Sequence, residues 1–285
     1  MMAGSDQQTG ARRVIVHGDC WPVVTAVAHL AESALPESDC DTTYTLPALL
    51  KQLGRQPETT LILCLRPREH IFLFYALRQA LLFHPVLVIS DELMFSDRLV
   101  LKVFGDIPVI SHEKTSGTQQ SGEGGDVTTG QLQRALTGFL FLPEPVRGFS
   151  DVPLIFNHPK RLMNYMSVLM FRETLAHGVT PAQRRLLEEI YKGRGKLSVL
   201  SGRLKTKEKK VWQEKNRLLV KKLGMRCRLR EQLYGTRFCM EIQKTPFMAP
   251  AEAEYLYSAE DSSGQSLPAG IKRTVSRGPQ LQNGV

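Results

Sequence analysis

Residues 13 to 114 alternate short apolar runs with longer stretches of helical periodicity, and this alternation limits the fold more than any other feature of the chain. Val14 to Val16, Thr60 to Leu65, Val86 to Ile89 and Ile107 to Ile110 carry almost no polar face, so they predict strands buried on both sides. Between them, Val23 to Ser33, Leu46 to Leu53, Glu69 to Leu82 and Ser96 to Phe104 predict helices, and Cys40 to Thr45 offers one further, weaker strand. Strands that alternate with helices in this way build a parallel sheet, because each parallel crossover needs a connection about as long as a helix. The first unit expected is therefore α/β, over residues 13–114.

The remainder reads differently. Thr115 to Gly130 holds almost nothing able to fill a core and is expected to be a flexible linker or loop. Gln131 to Leu142 and His158 to Leu175 predict helices of a connector over 131–178, with Leu162, Met166, Leu169 and Met170 at helical spacing as packing residues. From residue 247 to 285 the sequence turns to Ala, Ser, Gly, Gln and Pro, which predicts a disordered tail.

Charge narrows the function. The chain carries a formal net charge of +9, yet residues 180–235 alone hold 17 Lys and Arg against five Glu, a net of +12, which leaves −3 for the rest. Clustered cations suit a polyanion, since each phosphate they neutralise releases a condensed counterion. The five cysteines are odd in number and none pairs at zinc-ligand spacing, so neither a disulfide framework nor a metal site is expected, and no cofactor is. No apolar run approaches the roughly 20 residues of a membrane span, and the first residues lack a secretory layout. The cytoplasm is the expected location. Neither a dinucleotide fingerprint, a phosphate-binding lysine loop nor a nucleophile elbow occurs, which argues against an enzyme.

Within residues 179–240 the helix signals are dense. Thr180-Pro181 supplies a capping hydroxyl and a proline for the first turn, and Leu186, Leu187 and Ile190 follow on one face. Gly193 and Gly195 interrupt, Leu197, Leu200 and Leu204 mark a short second helix, and a third runs from about Thr206 to Leu223 with Gly224 as its stop. Val211, Leu218, Leu219 and Leu223 form the inward face of that third helix, and Trp212 is expected to pack. A fourth helix spans Arg226 to Leu233.

Over about 50 residues this segment resembles the LuxR-type helix-turn-helix of the NarL/FixJ class. Thr180-Pro181 with Leu186-Leu187 is similar to the family's opening, Leu204 with Lys209-Lys210-Val211 to the lead-in of its recognition helix, and Lys221-Lys222-Leu223-Gly224-Met225 to its closing signature. The helix after Val211 runs one residue longer than the family spacing. The resemblance implies an all-α, four-helix DNA-binding domain that acts in transcription regulation. A major groove admits one helix, whose leading turns reach base edges while basic flanks hold phosphates. On that geometry Lys207, Lys210, Gln213, Glu214 and Arg217 are candidates to face the groove, and Lys205, Lys209, Lys221, Lys222, Arg226 and Arg228 to hold phosphates. A nonspecific nucleoid-type or RNA-binding protein would use the same helices and stays open as an alternative; a catalytic α/β unit is the remoter one.

The order of residues 13–114 also resembles a response-regulator receiver domain. The family resemblance implies acidic residues after the first strand and an aspartate acceptor ending the third, but here only Asp19 follows the first and Cys64 stands at the acceptor position. Ser90 matches the hydroxyl after the fourth strand. The domain is thus expected to be a degenerate receiver, not controlled by aspartyl phosphorylation. Its expected partners are double-stranded DNA and a second regulator, either a copy of itself or a related chain.

Overall fold

The computed structural model describes residues 12–55, 58–111, 126–143, 145–148, 151–152, 155–193, 196–225 and 229–258. Five parallel strands, β1 (Arg13–Gly18), β2 (Asp39–Thr43), β3 (Thr60–Cys64), β4 (Val86–Ser90) and β5 (Val109–Ser111), form one sheet in the order β2-β1-β3-β4-β5. The order reverses between β1 and β3, whose ends bring Gly18 opposite Cys64. In doubly wound sheets that reversal opens a crevice beyond the carboxyl ends of the strands.

Helices cover both faces because the central strands are apolar on both. On one side α1 (Trp21–Ala34) and α5 (Asp126–Phe141) close over Val14, Val16, Ile62, Cys64 and Ile89. On the other, α2 (Leu46–Arg55), α3 (Ile71–Leu77) and α4 (Phe95–Val103) close over Ile15, Leu61, Leu63 and Val88. The single helix expected over Glu69 to Leu82 is instead α3 flanked by two 3₁₀ turns, Pro67–Glu69 and Ala80–Leu82. Every residue of α3 is buried, so the segment has no polar face whose periodicity could mark its ends.

The turn before α3 holds a buried charge. Arg68 is 1 % exposed; its Nη1 donates to Asp97 Oδ2 at 2.6 Å and its Nη2 to Glu92 Oε2 at 2.6 Å. Asp97, fully buried at the start of α4, also accepts from the backbone N–H of Arg68 and of Met94, each at 2.8 Å. Burial opposes the guanidinium charge, but Asp97 and Glu92 outweigh it and the Arg68 pKa is raised. The pair fastens the corner after β3 to the corner after β4.

The helical part follows as α6 (Pro159–Ala176), α7 (Pro181–Tyr191), α8 (Leu197–Leu204), α9 (Glu208–Asn216) and α10 (Leu229–Tyr234). The methionine stripe of α6 is buried, as expected of packing residues. Two boundaries need correction. Helix α5 begins at Asp126, inside the stretch expected to be loop; residues 112–125 lie outside the described residues. The leading polar turn is carried by the helix whose Leu136 and Leu140 are anchored in the core, since extending a formed helix is far easier than nucleating one.

The second correction concerns the tail. Residues Pro250–Ser258 form α11, which packs along α2; residues 259–285 lie outside the description. Proline at the first helical position and small Ala253 against the α2 surface explain how so polar a stretch can dock. The approach is close at Gly54 of α2, where a Cβ would run into the carbonyl oxygen of Tyr257. Tyr257 further places its hydroxyl 3.2 Å from His84 Nε2. Gly54→Ala is therefore expected to push α11 off α2 and to lower stability by about 1–3 kcal/mol. Hydrogen exchange should show residues 250–258 losing protection selectively, with a lowered Tm.

Candidate nucleic-acid interface

Four helices make the basic module. Leu186, Ile190, Leu200 and Val211 form its own small core, with Leu197, Leu204 and Leu233 at the edge. Thr180 caps α7 reciprocally: its Oγ1 accepts from Gln183 N at 3.3 Å and its own N–H donates to Gln183 Oε1 at 3.2 Å. The turn from α8 to α9 is tight because Lys205 adopts a left-handed conformation, φ 50°, that lets Thr206 N–H close onto Ser201 O at 3.0 Å.

The third helix is not uniform. After α9 the chain continues as a π-helical turn, Arg217–Lys222, in which Leu223 N–H reaches Leu218 O. A π turn holds one residue more than an α turn. It keeps Leu218, Leu219 and Leu223 facing inward.

The outward face carries most of the residues expected to meet DNA. Lys205, Lys207, Lys209, Lys210, Gln213, Arg217 and Lys221 are all exposed. Lys209, Gln213, Arg217 and Lys221 fall four apart and make one ridge along the helix. Lys210 and Arg217 also border a groove of about 510 Å³ between α9 and the start of α7, together with Arg185.

Two of the expected contacts point elsewhere. Glu214 Oε2 accepts from Gln183 Nε2 at 3.1 Å, and Lys222 Nζ donates to Gln183 Oε1 at 2.9 Å and to the carbonyl of Gly178. Gln183, 2 % exposed, is thus a buried hub that ties the first turn of α7 to the middle and the far end of the third helix. The sequence offered Glu214 and Lys222 by their place on the expected recognition helix, and the Thr180-to-Gln183 capping spacing was the signal that marked their partner. Arg226 and Arg228 lie outside the described residues. Trp212, expected to pack, keeps 52 % of its surface exposed.

In the α/β part, the crevice beyond β1 and β3 is a cleft of about 420 Å³ that Asp19, Cys20, Cys64, Arg66, Ser90 and Lys244 border. Lys244 arrives from the segment between α10 and α11, and nothing in the sequence marked it. Its ammonium donates to Asp19 and lies 3.1 Å from Glu69 Oε2, while its backbone N–H donates to Glu69 O at 2.8 Å. The neighbouring residues dock beside it. Gln243 accepts from Ile71 N–H at 3.0 Å and donates to Arg68 O at 2.8 Å, and Thr245 Oγ1 lies 2.8 Å from His70 Nδ1.

These contacts set the charges of the cleft. His70 first and Lys244 second hold the Asp19 carboxyl far below the usual range. Burial pushes the Cys64 thiol up to about 12, so it stays protonated at neutral pH. Ser90 spends its hydroxyl on Glu92 O at 2.8 Å. A hard divalent cation does not fit here, because Asp19 already holds the Lys244 ammonium, Asp91, the other carboxylate of the cleft, is paired with the Arg66 guanidinium at 2.6 Å, and the opposite wall is a neutral thiol. Among the described residues no cluster of His, Cys, Asp and Glu has the makings of a metal site, and no helix is long and apolar enough to cross a membrane.

No family model and no curated protein matches this chain. Solved structures do resemble it. RcsB from Salmonella enterica serovar Typhimurium bound to promoter rprA is 15% identical, over 78% of this chain and 96% of that one, at a TM-score of 0.43. A second RcsB–DNA complex, described as a two-component response regulator, is 14% identical over 79% and 96%, at 0.45. Full-length FixJ from B. japonicum is 12% identical over 79% and 95%, at 0.29.

The hub generates a test of the module's architecture. Gln183→Ala removes the acceptor and donor that Lys222 and Glu214 share, and should destabilise the protein by about 1–3 kcal/mol. Thr180→Ala, which loses only a cap, should cost about 1 kcal/mol. Urea unfolding of the full chain measures both; equal losses for the two variants would rule out the hub.

Proposed function

We propose that this chain is a sequence-specific, DNA-binding regulator of transcription that reads duplex DNA with α9 and works as a dimer, with a second copy or a related regulator. The observation that carries the reading is the exposed ridge Lys209, Gln213, Arg217, Lys221 on a helix whose opposite face is anchored in the core. One helix of this width enters a major groove. Gln213 has the paired donor and acceptor that match adenine, and Arg217 has the fork that matches guanine N7 and O6. In this reading Lys209 and Lys221 at the ends of the ridge, with Lys205 at the turn, hold the phosphates on either side, and Lys207 and Lys210 face the groove.

Control by aspartyl phosphorylation is not part of this function. A protonated Cys64 cannot accept and hold a phosphoryl group as an aspartate does, and Asp19 is already neutralised by Lys244. Regulation passes instead through abundance, partner choice or the contacts of the cleft. Incubation of the full chain with acetyl phosphate and magnesium should add no phosphate by intact-mass spectrometry. An Asp-linked phosphate at near-stoichiometric level within residues 13–114 would overturn this part of the reading.

The DNA reading is tested on the full chain with a duplex selected from a random library. Gln213→Ala and Arg217→Ala should each cost about 1–3 kcal/mol on the selected duplex and little on random DNA. Lys209→Ala and Lys221→Ala should weaken both duplexes alike and lower the salt slope by about one unit each. Equal affinity of the wild type for selected and random duplexes, or for RNA, would favour a nonspecific nucleic-acid binder.

A further inference from the structure

Beside the cationic ridge of α9 runs a second ridge, at Glu208, Trp212, Asn216 and Val220, again four apart. Its two apolar members are out in solvent, Trp212 at 52 % and Val220 at 47 % exposure. Packing explains neither. The residue before Trp212, Val211, is 2 % exposed and already supplies the anchor of this turn, and Leu218 and Leu219 supply that of the next. Among the described residues no side chain stacks on the Trp212 ring and none hydrogen-bonds its indole N–H. An indole left in water beside four long polar side chains is an apolar surface without an intramolecular use.

The geometry points to Trp212, supported by Val220, as the apolar reader of this helix: it contacts thymine 5-methyl groups in the major groove next to the bases that Gln213 and Arg217 bond. This rests on the proposed reading of α9 as the recognition helix. Thymine alone presents a methyl group in that groove, and apolar side chains are the ones that register it. A ridge one position round from the donors reaches the adjacent step of the groove wall, so the two ridges together sense hydrogen-bonding pattern and methyl pattern. Stacking between bases is not required, and an intact duplex offers none. The ligand class is therefore a duplex with thymines flanking the base pairs read by Gln213 and Arg217.

Deoxyuridine tests this, since it removes the methyl and leaves every hydrogen-bonding group of the base. With the full chain and its selected duplex, thymines are replaced singly by deoxyuridine and affinity is followed by anisotropy. The wild type should lose about fourfold at one or two positions, the equivalent of about 0.8 kcal/mol for one buried carbon group. Trp212→Ala should bind the thymine and uracil duplexes equally, with the salt slope of the wild type, because the contact releases no counterion. Trp212→Phe should keep part of the discrimination and guards against a folding effect of the alanine. In a Trp21→Phe background, whose changed residue lies on α1, Trp212 emission should shift when the selected duplex is added. Identical uracil-to-thymine ratios for wild type and Trp212→Ala at every position would overturn the inference while leaving the DNA reading intact. A wild type that prefers no duplex would overturn both.

Discussion

The buried guanidinium of Arg68 is the joint on which the molecule turns. Two of its carboxylate partners, Glu92 and Asp97, come from the corner after β4, the third, Glu69, is its neighbour in the chain, and its backbone carbonyl receives Gln243 from the returning C-terminal segment. A charge taken out of water survives only when its partners are geometrically good, and loss of one of them costs about 3–5 kcal/mol. A well-packed apolar substitute could be as stable, so the pair does not explain stability as such. It explains position: the guanidinium fixes the turn after β3 against Glu92 and Asp97, and the carbonyl of the same residue receives Gln243.

From that joint follows the relation between the two parts. Leu187 of α7, Leu218, Leu219 and Leu223 of the third helix and Met225 belong to the same buried cluster as Leu61, Leu63 and Leu99 of the α/β part. Arg98 of α4 donates to Leu223 O at 2.6 Å, which caps the end of the third helix from outside the module, and Ser96 N–H donates to Gly235 O at 2.8 Å. The module's own core is four buried side chains. Domains that fold alone have a core of their own, and here most of the inward face of the third helix is shared. The ridges of α9 nonetheless face solvent in this arrangement, so their exposure does not call for undocking.

What could be read from the sequence was what is local. The strand–helix alternation located all five strands, because buried parallel strands are apolar runs; β2 was the weakest since this edge strand, Asp-Cys-Asp-Thr-Thr, is mostly polar. The Thr180-Pro181 cap and the leucine spacing located α7 and α8 nearly to the residue. What failed was what depends on distant partners. Gln243, Lys244 and Thr245 look like ordinary polar tail residues until β1 and the turn after β3 are in place to receive them. Glu214 and Lys222 look like free charges until Gln183 is found between them. The third helix was legible as one periodic run, but the π turn Arg217–Lys222 within it, where Leu218 and Leu219 are buried, leaves no mark in the spacing of the residues.

The same dependence governs the cleft. There one ammonium, that of Lys244, neutralises Asp19 and Glu69 together. That ammonium cannot leave without its chain, and its chain is also held by Gln243, by Thr245 and by Phe247, whose ring meets Phe72 edge-on at 5.4 Å. A few residues earlier the same segment touches the module, where the Tyr191 hydroxyl donates to Thr236 O at 3.1 Å. Residues 236–247 are thus one run of chain held at the sheet's crevice by Lys244 and at α7 by Thr236, and it supplies each place with polar partners that come from outside it.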